Sequence, residues 1–379
     1  MDALIRNSTH LQIIYRGGVA VPIYNFSAGP GMLPAPVLRE VQAQFLSYKE
    51  SGVSIVEMSH RSKRFTELAR HLEERLRRLM AIPDEYAVLW LQGGATLQFS
   101  MVPMNLKTAG RFAYLDSGVW SQKAIADARR VGTVDVIGSA RGVGYSELPT
   151  WPETIQGADY LHLTLNNTIE GTRYTALPET DVPLVADVSS NILAEHIDVR
   201  RFGLLYAGAQ KNIGPAGLTV VIVRRDLISE RDVPSYLSYE NHVDTLLNTP
   251  STFSMYVAER VLAWIEAEGG VDEMERRNRL KSERLYRALD TSSLFRPLVT
   301  DTTSRSLTNI PFTTGNEETD EAFRLYAEAR DLIELGGHRS VGGLRASLYN
   351  AMPLEGVERL VDTMHEFEQE GHHVSYKNV

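Results

Sequence analysis

In "YAGAQKNIGPAG", residues 206–217, one lysine separates an apolar run from a loop rich in glycine. The preceding "FGLLYAGAQ" carries no charge and reads as a buried strand, whereas "NIGPAG" is turn chemistry leading into a second apolar strand, "LTVVIV". Lys211 is therefore expected to emerge at a strand end with its amine partly desolvated. Burial disfavours the ammonium form and makes a lysine a nucleophile or an imine former. A lysine that snorkels to solvent or pairs with a carboxylate is the competing reading, and this stretch alone weighs the two evenly.

Two other segments place polar chemistry at expected strand ends. In "PLVADVSS", Asp187 closes a short apolar run, and a carboxylate there needs either structural N–H groups or a cationic ligand. In "VLWLQGGATLQF", Gly93 and Gly94 turn a strand into a helix expected to begin near Ala95, whose free N–H groups attract a phosphate. Taken alone, a Gly-Gly pair is more often a plain turn. A lysine that forms an imine, an aspartate that keeps a pyridine nitrogen protonated and a loop that holds a phosphate are together what pyridoxal phosphate requires.

The elements that must bring these residues together are legible as pattern. "APVLREVQAQFLSY" and "RFTELARHLEERLRRLM" have helical periodicity, the second with Phe65, Leu68, Leu72, Leu76 and Leu79 on one face. Seven apolar runs follow: "YAVLWL", "RFAYLD", "TVDVIG", "DYLHLTL", "PLVADV", "LLYAGA" and "LTVVIV". Helical segments such as "SQKAIADARR" lie between some of them. The expected fold class is α/β, with a mostly parallel seven-stranded sheet covered on both faces and ligands at the carboxyl ends of its strands. After "STFSMYVAERVLAWIEAEGG", a long helix ended by glycines, the texture changes to shorter mixed units. The expected organisation is an N-terminal extension over residues 1–22, a large domain over 23–268 and a smaller C-terminal α+β domain over 269–379.

Composition narrows the function classes. A formal net charge of −9 speaks against broad binding of nucleic acid or anionic membrane, and leaves room for small anions held by local arginines. The absence of cysteine removes disulfides, thiolate metal sites and cysteine nucleophiles together. No metal site and no transmembrane helix are expected. The first twenty or so residues lack the apolar core and cleavage site of a secretory signal, so the expected location is cytoplasmic.

The segments "NFSAGPGMLP", "MSHRSKRF", "YAGAQKNIGPAGLTVVIVR", "GHRSVGGLRAS" and "YNAMPLEGV" resemble the phosphoserine aminotransferase family, class V aminotransferases of PLP fold type I, from about Ile23 to Glu368. The resemblance implies that Lys211 carries the cofactor as an imine and that Asp187 pairs with its ring nitrogen. It further implies that Trp120 stacks on the ring, that Thr168 bonds near its phenolic oxygen, and that the Ala95 and Thr96 backbone holds the phosphate with Gln210. Asn248 and Thr249 would reach the cofactor phosphate of a neighbouring subunit, so a homodimer with shared active sites is implied. Some relatives have Gly-Arg where this chain has Ala95-Thr96, which puts a side-chain contribution there in doubt.

Substrate recognition would rest on basic residues. Arg345 resembles the arginine that binds the α-carboxylate. Arg61, beside His60, resembles part of the group that holds a substrate phosphate, together with His338 and Arg339 from the partner subunit. The implied reaction is a ping-pong transamination between L-glutamate and 3-phosphohydroxypyruvate, giving phosphoserine and 2-oxoglutarate in serine biosynthesis. Whether a related substrate of pyridoxine biosynthesis is also used stays open. The alternatives are an enzyme of the alanine-glyoxylate or serine-pyruvate type, which would not need the second cationic cluster, and a pyridoxal-phosphate-binding protein without catalysis.

Overall fold

The computed structural model describes residues 12–16 and 19–371. An antiparallel hairpin of β1 (Gln12–Arg16) and β2 (Val19–Asn25) comes first, followed by helices α1 (Ala35–Gln44) and α2 (Lys63–Met80). The Ser62 hydroxyl accepts the Phe65 N–H and starts α2, which ends at Ala81 in the left-handed conformation. Its buried face is Phe65, Leu68, Leu72, Leu76 and Met80. The expected Leu79 is only partly buried, because four-residue steps from Leu72 bring position 80 into line with the stripe.

Each of the seven apolar runs forms a strand of one sheet. They are β3 (Tyr86–Leu91), β4 (Arg111–Asp116), β5 (Thr133–Ser139), β6 (Leu161–Thr164), β7 (Leu184–Asp187), β8 (Leu204–Gly208) and β9 (Thr219–Arg224). Their order is β3-β9-β8-β7-β6-β4-β5, with β9 antiparallel to both neighbours and every other pairing parallel. Between the strands run α3 (Gly94–Leu106) and α4 (Val119–Ala128), and after them α5 (Thr252–Ala267). Alternate residues bury on opposite faces, as the period of two requires. Leu205 and Ala207 join a core with α2 and α5, while Leu204 and Tyr206 join a core with α3 and α4.

The C-terminal part contains α6 (Gly270–Thr291), β10 (Arg296–Pro297), β11 (Asn309–Thr313), α7 (Glu317–Glu328), β12 (Leu332–Ile333), β13 (Leu344–Ser347) and α8 (Leu354–Gln369). β10, β11 and β13 form an antiparallel sheet, and β12 pairs in parallel with β2. Tyr24, Phe26 and Met32 accordingly lie in one buried cluster with Phe312, Phe323, Leu344, Val361 and Phe367. Residues 24–32 thus pack with the strands and helices of the C-terminal part. Residues 1–11 and 372–379, including most of the expected extension, lie outside the described residues.

Candidate active site

The parallel strands, together with β3, end on one edge of the sheet, and the loops leaving that edge carry most of the residues singled out by sequence. Asp187 is the last residue of β7 and is buried. Strand alternation puts it on the same face as Val185, the side covered by α3 and α4. Its Oδ1 accepts from the backbone N–H of Ser189 at 2.9 Å and from the Ser189 hydroxyl at 2.6 Å. The same hydroxyl accepts from the Gly208 N–H at 3.0 Å, which ties the end of β7 to the end of β8. Asp187 Oδ2 has no hydrogen bond among the described residues. Burial pushes the carboxyl above its ordinary range, opposed by Lys211 and by the Ser189 bonds.

Lys211 follows β8 by three residues, and its Nζ donates to Thr168 Oγ1 at 2.7 Å. Thr168 sits at the tip of a tight loop closed by Asn167 N–H to Thr172 O and Gly171 N–H to Asn167 O, both 2.8 Å. Gly171 has φ of 82°, and a Cβ there would run into Pro311. Arg345, on β13, donates through Nη1 to the Thr168 carbonyl at 3.3 Å. The C-terminal sheet and the large sheet thereby meet at one residue. Burial lowers the Lys211 amine to about 8, with Asp187 opposing the shift and the Arg345 charge adding to it. Of the two readings of Lys211, the desolvated amine is the one observed.

The other residues expected to contact ring and phosphate lie where β3, β4 and β8 give way to the elements that follow them. Gly93 and Gly94, with φ of 95° and 68°, turn β3 into α3, so the amides of Ala95 and Thr96 belong to its first turn, where a helix offers no internal acceptor. Trp120, in the first turn of α4, packs on the cluster that α3 and α4 share, and its indole N–H is buried with no hydrogen-bond partner. Gln210 packs between the end of β8 and the 29–31 segment. Its carbonyl accepts from the Gly31 N–H at 2.8 Å, while its side-chain amide makes no hydrogen bond among the described residues.

Among the basic residues, His338 lies in the turn before β13 and feels the charges of the chain's own Arg345, Arg339 and Lys123, which with burial hold its imidazole below the ordinary value. β13 fixes Arg345 and anchors that turn by the Arg345 N–H to Leu335 O bond of 2.7 Å. His60 and Arg61 lie at the start of α2 and form no hydrogen bond or ion pair with Lys211, Thr168 or Arg345. Asn248 donates to Gln92 Oε1 at 2.9 Å and to the Thr249 carbonyl at 3.1 Å. It also lines a cavity of 330 Å³ with Phe65, Ala69, Trp90 and Leu246, a cavity that includes none of the residues around Lys211.

A class-V aminotransferase family profile matches residues 23–360. The chain is 63% identical to the phosphoserine aminotransferase of an Exiguobacterium species over 94% of this chain and 99% of that protein. The chain belongs to the phosphoserine aminotransferase family. A solved phosphoserine aminotransferase from Bacillus circulans subsp. alkalophilus superposes with a TM-score of 0.89 at 44% identity, covering 92% of this chain and 99% of that one. A PLP-bound phosphoserine aminotransferase from Trichomonas vaginalis gives 0.86 at 35% identity, covering 90% and 99%.

The residues present fit pyridoxal phosphate. The family's cofactor brings a carbonyl for a lysine of lowered proton affinity, a ring nitrogen whose proton suits the open Oδ2 of Asp187, and a phosphate suited to the first turn of α3. Two neighbours of these phosphoserine aminotransferase residues escaped the sequence reading. Ser189 braces Asp187 from two positions downstream, a spacing at which aspartate commonly bonds the following backbone. Buried Glu170 accepts the Val119 N–H at 2.8 Å and so links the Thr168 loop to the start of α4. Its signal was a lone carboxylate in "NNTIEG", indistinguishable in sequence from a solvated loop residue.

Proposed function

We propose that the chain transfers the amino group of L-glutamate to 3-phosphohydroxypyruvate, yielding O-phospho-L-serine and 2-oxoglutarate, as a phosphoserine aminotransferase of serine biosynthesis acting in the cytoplasm. The observation that carries this reading is the buried Lys211 amine, bonded to Thr168 and set between Asp187 and Arg345, in a chain so similar to phosphoserine aminotransferases. Pyridoxal phosphate, when bound, supplies an electron sink for the substrate α-carbon. Asp187 Oδ2 holds the ring-nitrogen proton, a role favoured by its burial and its single braced oxygen. Trp120 stacks on the ring. Thr168 bonds beside it, and Ala95, Thr96 and Gln210 hold the phosphate. Lys211 Nζ, with its lowered proton affinity, removes the α-proton of the amino acid and returns a proton at the carbon that receives nitrogen. Arg345 binds the substrate α-carboxylate, and Arg61, with His338 and Arg339 of a neighbouring subunit, receives its distal anionic group.

A second copy of the chain completes the site in this reading. Asn248 and Thr249 make no contact with their own Lys211 cluster, and the segment next to them is apolar and open: Phe45, Leu46, Val53 and Val56 are exposed, and Phe45 meets Phe253 of α5. A homodimer covering this face would bring Asn248 and Thr249 to the cofactor phosphate of the partner's crevice, and His338 and Arg339 to the partner's substrate-phosphate group. That arrangement gives the expected shared sites.

The testing experiment records the cofactor's visible absorption on adding L-phosphoserine, L-serine or L-alanine at equal concentration. Rapid loss with phosphoserine alone is expected, and Lys211→Ala abolishes it. Faster loss with serine or alanine would move the chain to the alanine-glyoxylate or serine-pyruvate type, and no loss with any amino acid would favour a non-catalytic binding protein.

A further inference from the structure

Lys211, Asp187 and Arg345 come from three separate segments: the turn after β8, the end of β7, and β13. The chain leaving Asp187 and the chain leaving Arg345 both meet one side chain, that of Asn212, the residue next to Lys211. Asn212 is buried; its Oδ1 accepts the Asn350 N–H at 3.1 Å, and its Nδ2 donates to the Ser190 carbonyl at 3.4 Å. Ser190 lies three residues beyond Asp187, and Asn350 five beyond Arg345. The turn's own backbone bonds, from the Ile213 and Gly214 N–H groups to Ala209 O at 3.0 and 2.8 Å, shape it but reach neither segment. Both segments are braced in turn. Asn350 Nδ2 donates to the carbonyl of Leu193, a residue with φ of 60°, at 2.9 Å, and Asn278 Nδ2 of α6 donates to Asn350 Oδ1 at 2.8 Å and to Ala194 O at 2.9 Å.

A side-chain amide holds its donor and acceptor at a fixed separation, so a buried asparagine bonded at both ends fixes two partners relative to each other and to its own backbone. We infer that Asn212 is a positioning residue that sets the Lys211 amine relative to Asp187 and Arg345. This assignment rests on the roles proposed above for those three residues. The two bonds differ in weight. The Ser190 carbonyl also accepts the Thr308 hydroxyl at 2.9 Å, whereas the Asn350 N–H bonds Asn212 Oδ1 alone among the described residues. The placement matters because burial, Asp187 and Arg345 act on the Lys211 amine together. An asparagine that merely satisfied buried polar groups would add stability and leave that balance unchanged.

The test follows uptake of pyridoxal phosphate by the full chain, freed of cofactor, in stopped flow from pH 6 to 10, with urea unfolding in parallel. Asn212→Ala is expected to raise the inflection of the uptake rate by about one pH unit, toward the ordinary lysine range, because a turn released from both segments admits water to the amine. Asn350→Ala is the matched control. It removes a buried asparagine side chain from the same cluster and keeps the backbone N–H that Asn212 accepts, so it should cost stability yet shift the inflection distinctly less. Asn212→Ser, whose hydroxyl can serve one of the two partners, falls between and carries the test if Asn212→Ala does not fold. An inflection unmoved or lowered in the Asn212 variants, or raised as far by Asn350→Ala, would overturn the assignment. Equal covalent labelling of Lys211→Ala and the unmodified protein, after borohydride reduction with pyridoxal phosphate, would instead remove Lys211 as the attachment point, whatever Asn212 does.

Discussion

Lys211 combines a lysine's reach with an amine that loses its proton near pH 8, below the ordinary lysine range, and the reason is its surroundings. Burial and the Arg345 charge lower its proton affinity, whereas Asp187 raises it. In the cofactor-free protein only the uncharged amine attacks a carbonyl, so the rate of pyridoxal phosphate uptake should climb with pH and level off above about 8. Removing a nearby cation stabilises the ammonium, so Arg345→Gln moves that inflection to higher pH. Removing the anion, as in Asp187→Asn, moves it lower. Stopped-flow uptake across pH 6 to 10 measures all three proteins, and shifts of the same sign in both variants would show that Lys211 is governed by other groups.

Helices and loops decide how rigidly these residues are held. Lys281, buried in α6, donates to the carbonyls of Leu348, Tyr349 and Met352 at 3.0, 2.8 and 2.9 Å. That loop carries Tyr349, whose hydroxyl donates to the Ala28 carbonyl at 2.7 Å, beside the segment that packs on Gln210. Lys281→Met would keep the apolar stem and leave three carbonyls without a donor. At about 1–3 kcal/mol for each orphaned buried group, urea unfolding should show a loss of at least about 3 kcal/mol. The Glu170 link between the Thr168 loop and α4 is a second brace of this kind. Glu170→Gln can keep an acceptor for Val119, so it should change the melting temperature less than Glu170→Ala.

At the scale of the molecule, the large sheet supplies the edge, the C-terminal sheet supplies Arg345, and a second copy is proposed to supply the rest. Replacing Leu46 and Val56 by aspartate places charges on the apolar face beside α5 without disturbing a buried core position. The doubly substituted protein is expected to sediment as a monomer, with weaker retention of pyridoxal phosphate. A stable dimer with full retention would remove this face from the proposed interface.

All seven strands and the helices around them were legible in the sequence, because burial on one or both faces imposes a local period that apolar residues record. Lys211 and Asp187 stood out for the same reason: a charge closing an uncharged run contradicts the pattern around it. Tertiary structure decided what that pattern could not carry. The contact of Arg345 with Thr168 joins residues 177 positions apart, and the packing of Tyr24 and Phe26 with the C-terminal helices follows from one parallel pairing of β2 with β12. How Lys211 comes to bond Thr168 and to lie beside Asp187 depends on how loops from separate strands converge. Sequence spacing within each loop constrains none of those distances. They are set by strand order and by the burial that each crossover requires.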